Sequence, residues 1–245
     1  VWMNGSRTNP HVPRDIFQDY DIVYAVTDVQ GYVDDRNWID VFGERIVMQR
    51  PDESVLFDEK PSPLRYAYLM QFADGNRIDL TLLDLSIARR EVLSDKLTVV
   101  LLDKDSLLPP VPPPSDEDYR VKKPDAAHFS DCCNEFWWVM PYAAKGLWRR
   151  EILFAKEHME QNIRPMLLMM LGWEVGVLTG FTVSVGKCGK YLDKYLPKER
   201  WEGLLRTYSA ADYPSVWDAL LEMGELFHVS ACKVAQECGF SYPYE

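Results

Sequence analysis

Phe17-Gln18-Asp19-Tyr20-Asp21-Ile22-Val23-Tyr24-Ala25-Val26 sets two aspartates, two positions apart, at the head of a β-branched and aromatic run. Such a run reads as a β-strand, here from Asp21 to Val26. Its period of two sends the side chains of Asp19 and Asp21 to one face of a sheet and Tyr20 to the other. Upstream, Val1-Trp2-Met3-Asn4 reads as a strand running into the turn Gly5-Ser6-Arg7. Downstream, Asp79 interrupts the apolar strand from Arg77 to Leu83. A carboxylate buried there without a partner costs several kcal/mol, and a divalent cation shared by the three aspartates removes that cost.

Further strands are expected at Arg45 to Gln49, Tyr66 to Phe72 and Leu97 to Leu102. Asp74-Gly75-Asn76 marks a hairpin, because Gly and Asn tolerate the positive φ that tight turns require. Helices are expected at Trp38 to Phe42 and at Ile87 to Leu93, the latter capped by Asp84 or Ser86. From Leu107 to Pro124 the prolines are too dense for a helix or a central strand. Beyond Ala126, apolar residues recur at helical spacing, including Phe136, Val139, Met140, Met166, Met169, Met170, Trp217, Leu220 and Leu221. The expected class is therefore α+β: residues 1–120 form a mixed β-sheet flanked by helices, and residues 121–245 an all-α helical bundle.

The chain has 245 residues and a formal net charge of -11, and 47% of it is apolar. No stripe of Lys and Arg is present to neutralise a phosphate backbone, which argues against nucleic acid as a partner. The five cysteines lack CxxC spacing and two are adjacent, so a reducing, cytoplasmic location is expected rather than a disulfide framework. The most apolar stretch, Pro165 to Phe181, is interrupted by Glu174 and falls short of a membrane span, so no membrane partner is expected. The four histidines lack metal-finger spacing. The chain opens on Val1, inside what reads as a strand and without a signal-peptide pattern, and a truncated N-terminus is expected.

Magnesium is held by a few carboxylates together with substrate phosphate oxygens, and two such ions can clamp an in-line phosphoryl displacement. Gly5 and Ser6 suit the phosphates, since a glycine admits close backbone approach and the following N–H groups and hydroxyl can cradle anionic oxygens. Taken singly, a Gly-Ser pair, a D-x-D and one strand aspartate all have ordinary structural explanations. Their occurrence together in this order points to nucleotide chemistry.

These residues resemble the signature of the nucleotidyltransferase superfamily related to DNA polymerase β. The stretches Phe17 to Ile22, Arg77 to Thr81, Asp131-Cys132-Cys133-Asn134-Glu135-Phe136-Trp137 and Lys145-Gly146-Leu147 resemble the streptomycin (aminoglycoside 6-) adenylyltransferases more specifically, along essentially the whole chain. The resemblance implies transfer of AMP from ATP to a hydroxyl of streptomycin, release of pyrophosphate, inactivation of the antibiotic and hence resistance. It implies that Asp19 and Asp21 bind Mg2+, and that Asp79 is a third ligand or the general base. Gly5, Ser6 and Arg7 would cradle the triphosphate. The resemblance also implies a helix ahead of the first strand, and this sequence starts without it, in keeping with the expected truncation.

Lys145, and behind it Lys187 after the turn at Gly186, are the candidate phosphate-binding cations of the second half; each also fits an ordinary surface lysine. Asp131, Glu135 and Trp138 lie at helical spacing, where acids would meet the cationic groups of an aminoglycoside and the indole would pack on a sugar. Helix-capping acids and a core tryptophan fit the same spacing. ATP and drug are expected to meet between the two halves. Two other readings stay open: the same core acting on a different acceptor, and a noncatalytic nucleotide-binding protein of the same fold.

Overall fold

The computed structural model describes residues 1–56 and 62–243. It is an α+β chain of two units, Val1–Asp118 and Tyr119–Glu245. The first unit is built on strands β1 (Trp2–Asn4), β2 (Tyr20–Val26), β3 (Arg45–Gln49), β4 (Arg65–Phe72), β5 (Arg77–Asp84) and β6 (Val99–Val100), with helices α1 (Val29–Asp34) and α2 (Leu85–Glu91). The strands form one mixed sheet in the order β3-β4-β5-β2-β1-β6. Among the described residues, only β2 and β5 pair in parallel and the other pairings are antiparallel.

Alternation along the strands builds two apolar layers. Tyr66, Tyr68, Met70 and Phe72 of β4 and Leu80 and Leu82 of β5 pack with Val29 of α1 and Ile39. Leu80 and Leu82 are fully buried, which contributes about 2 kcal/mol each. On the opposite face Trp2 and Leu83 pack with Ala88 and Val92 from the α2 region, with Val23 and Ala25 of β2 beside them. That second face carries apolar residues at one end of β2 and β5 and charged residues at the other.

The hairpin between β4 and β5 forms as its sequence requires. Gly75 takes φ 88°, its N–H donates to the Phe72 carbonyl at 3.1 Å, and the Asp74 carboxylate accepts from the Asn76 N–H at 2.9 Å. Other elements differ in detail from expectation. Residues 97–102 pair only at Val99–Val100, because the partner β1 is three residues long. Trp38–Phe42 is a 3-10 turn. α2 starts at Leu85, and Asp84 is its cap, accepting from the Ser86 N–H. Helix α1 was not expected; Asp28 caps it by accepting from the Gly31 N–H.

The second unit consists of α3 (Ala126–Trp148), α4 (Ile152–His158), α5 (Arg164–Thr179), α6 (Leu192–Tyr195), α7 (Lys198–Arg206) and α8 (Tyr213–Cys238), with a π-helical turn at Met159–Ile163. Asp125 and Asp212 cap α3 and α8 by accepting from the N–H groups of His128 and Ser215. Phe136 of α3 stacks on Phe227 of α8 with ring centroids 3.8 Å apart. Leu167 and Met170 complete the core, as do Cys132 and Cys133, whose thiols burial pushes up to about 12. Buried Glu174 of α5 is met by Arg200 of α7 at 3.5 Å. No described helix is long and apolar enough to cross a membrane.

Candidate active site

The parallel register of β2 and β5 sets Asp21 directly beside Asp79, and neighbouring strands lie only about 4.8 Å apart. Asp19, one position ahead of β2, falls on the same face as Asp21 and reaches Arg77 of β5 at 3.9 Å. Arg77 and Asp79 are again two positions apart, so four charged side chains make a two-by-two array on one face of the sheet. Carboxylate oxygens of Asp19, Asp21 and Asp79 lie within 4.8 Å of one another, the one grouping of three potential metal ligands among the described residues.

Backbone pairing therefore holds three like charges together, and a single cation opposes them. Arg77 donates from Nε to Asp79 Oδ1 and from Nη2 to Asp79 Oδ2, both at 2.8 Å, a planar bidentate pair. Asp21 receives no such pairing. Its carboxyl is pushed up to about 6, first by burial, then by the charges of Asp19 and Asp79, with Arg77 only partly offsetting them. Arg77 was not singled out from the sequence. Its signal was its place two positions before Asp79 on the same strand face.

Gly5 closes the site from β1. It sits at φ 76° and ψ -156°, and a Cβ there would collide with Asp21 Oδ2 and lie 2.9 Å from its Cγ. The backbone thus approaches the Asp21 carboxylate as only glycine allows. Ser6 opens the 3-10 turn Ser6–Thr8, which is tied back by the Thr8 N–H donating to the Gly5 carbonyl at 3.1 Å. The Arg7 guanidinium is turned toward the chain: Nε donates to the Asp19 carbonyl at 2.9 Å and Nη2 to the Gln18 carbonyl at 2.6 Å. It also covers the Tyr20 ring at 3.7 Å.

The remaining sequence-derived candidates belong to the second unit. Asp131, Glu135, Trp138 and Lys145 share one exposed stripe of α3, at the i, i+4, i+7 spacing that puts residues on one helix face. Trp138 is 65% exposed, so the core-tryptophan alternative does not hold. Lys145 Nζ lies 4.3 Å from the Tyr142 ring centroid. Lys187 is exposed at the start of the turn Lys187–Gly189, after Gly186 at φ 71°.

The family model described as streptomycin adenylyltransferase matches residues 1–245. Aminoglycoside 6-adenylyltransferases from Campylobacter jejuni and Bacillus subtilis (strain 168) are 42% and 41% identical to the chain, over 99% of it and 84% and 86% of their own lengths. A third, from Staphylococcus aureus, is 39% identical over 99% of the chain and 86% of its own length. Among solved structures, an aminoglycoside 6-adenyltransferase from Bacillus subtilis aligns with a TM-score of 0.50 and 39% identity, covering 93% of this chain and 84% of its own.

Proposed function

Because the chain belongs to the streptomycin adenylyltransferase family, we propose that this enzyme transfers AMP from ATP to a hydroxyl of an aminoglycoside, with streptomycin as the drug modified. The observation that carries this reading is the convergence of Asp19, Asp21 and Asp79 beside the Gly5-Ser6 turn. In the reaction the acceptor oxygen bonds to the α-phosphorus and the bond to the β-phosphate bridging oxygen breaks. Pyrophosphate leaves with that electron pair, and the hydroxyl proton is lost to solvent.

The three carboxylates fit Mg2+. They offer an all-oxygen donor set suited to a hard cation, and Asp21, pushed up to about 6, lacks the positive charge that a cation provides. When bound, Mg2+ supplies Lewis-acid activation of the acceptor hydroxyl and screening of the triphosphate. Asp19, Asp21 and Asp79 would hold it, with Arg77 fixing the orientation of Asp79. Gly5 leaves room for the Asp21 carboxylate to sit against the turn, and the Ser6 hydroxyl and N–H groups bind phosphate. On the second unit, exposed Lys145 and Lys187 are the proposed phosphate-binding cations. Asp131 and Glu135 attract the cationic groups of the drug and Trp138 packs on a sugar ring, so that orientation provides most of the rate.

The test is a pyrophosphate-release assay with ATP, Mg2+ and streptomycin, run beside Asp19→Asn, with mass spectrometry of the drug. A drug mass increased by one AMP, with the wild-type chain alone, is the expected result. Turnover by Asp19→Asn at the wild-type rate would overturn the assignment of the site. Turnover only with other aminoglycosides would replace the drug and leave the chemistry standing.

A further inference from the structure

Resting on that reading of the three carboxylates, we infer that Arg7 is a positioning residue that holds Asp19 in the metal site and is not a phosphate ligand. An arginine next to a Gly-Ser turn has the composition of a phosphate contact, but Nε and Nη2 of this one are directed to the backbone ahead of β2. Nε and Nη2 donate to the carbonyls of Asp19 and Gln18 at 2.9 and 2.6 Å, and the guanidinium plane covers the Tyr20 ring at 3.7 Å. One side chain from the turn after β1 thus grips three consecutive residues, 18 to 20, where the chain enters β2. A reverse link runs from Gln18 Nε2 to the Ser6 carbonyl at 3.4 Å.

The need for this grip follows from the sheet. Asp21 and Asp79 are placed by ladder hydrogen bonds within paired strands, whereas Asp19 precedes the first paired residue, Tyr20. Its backbone thus lies outside the paired register, although its carboxylate faces two others of like charge. Arg7 supplies the missing constraint from the opposite face of β2, where Tyr20 points. A guanidinium suits the task, because its planar fork reaches two carbonyls while its face lies on the ring; the lysine ammonium is a point charge and cannot do both. Groups that orient metal ligands in this way typically contribute 10- to 100-fold to metal affinity.

The experiment compares the wild-type chain with Arg7→Lys, Arg7→Met and Tyr20→Leu. Mn2+ affinity is read by electron paramagnetic resonance, and ATP affinity in EDTA by calorimetry. Both Arg7 variants are expected to lose about tenfold or more in Mn2+ affinity, without rescue by Lys. Tyr20→Leu should lose a smaller factor in the same direction, and ATP affinity in EDTA should stay within about twofold in all three. Loss of ATP affinity in EDTA with Mn2+ affinity intact would overturn the inference and make Arg7 a phosphate ligand. Wild-type Mn2+ affinity in Arg7→Lys would overturn it as well. Should the Arg7 variants not fold, as judged by circular dichroism, Tyr20→Leu decides: unchanged Mn2+ affinity there overturns the inference. Absence of Mn2+ binding by the wild type would instead remove the metal-site reading on which it rests.

Discussion

Gly5 and Asp21 occupy adjoining space so closely that a single methyl group on Gly5 would overlap the Asp21 carboxylate. The two residues are 16 positions apart, on the turn after β1 and near the start of β2, and the antiparallel pairing Asn4↔Asp21 brings them together. The glycine that opens the turn is thereby also the wall of the carboxylate cluster.

Gly5→Ala should therefore lose both stability and activity. An L-residue at φ 76° costs about 1–2 kcal/mol before any clash, and the Cβ must displace Asp21. A fall in melting temperature of several degrees is expected, with AMP transfer reduced by about 100-fold or more. Adding Asp21→Ala relieves the clash and should recover part of the melting temperature but none of the activity, as calorimetry and the pyrophosphate assay would register.

Asp21 makes the metal-free protein pH-sensitive. Its folded-state carboxyl lies at about 6, above the ordinary 3.8. The ionised form is therefore disfavoured by folding, and the penalty is absent at acid pH and fully present above about pH 6. Without metal, Asp21→Asn should melt above the wild type at pH 7.5, and the gap should narrow at pH 5. Mg2+ at pH 7.5 should raise the wild-type melting temperature more than that of Asp21→Asn.

Arg77 is the only charge the site itself sets against three carboxylates, among the described residues. Its side chain is 47% exposed, so solvent screening limits its stabilising contribution to about 1 kcal/mol. Arg77→Gln should lower metal-free stability by about that amount, and saturating Mg2+ should shrink the difference. Chemical denaturation with and without Mg2+ measures both.

Four of the five cysteines should react as two classes. Cys132 and Cys133 are buried, with thiols pushed up to about 12, whereas Cys188 and Cys232 are exposed. At pH 8, iodoacetamide followed by peptide mass mapping should find Cys188 and Cys232 alkylated in the native protein. Cys132 and Cys133 should react only after denaturation.

Local chemistry made several elements legible. Asp74-Gly75-Asn76 could be read as a hairpin because a positive φ is a property of the residues themselves, and Gly75 adopts one. β3 was recovered from Arg45 to Gln49 because the β-branched pair Ile46-Val47 favours an extended backbone even where, as here, both side chains are exposed. α1 was missed because it is only six residues long and carries Gly31 and two valines, so its cap at Asp28 is the one helical signal it shows. The strand expected at Leu97 to Leu102 was overestimated because pairing depends on the partner, and β1 offers only Trp2 and Met3 to Val100 and Val99.

The same division runs through the site. The sequence by itself determined that Asp19 and Asp21 share a face, since a period of two is inherent in an extended chain, and that Asp79 is a charge in an apolar strand. Only the tertiary structure decided that β2 and β5 are neighbours in parallel register with Asp21 beside Asp79. It also decided that Arg77 neutralises Asp79, that Gly5 abuts Asp21, and that Arg7 grips the entry to β2. Register joins residues 58 positions apart, and no local rule relates them: which strands pair is settled by burial of Leu80, Leu82 and Trp2 on the two faces of the sheet. The charged array follows from that apolar packing, at an electrostatic cost that the aspartates themselves do nothing to favour.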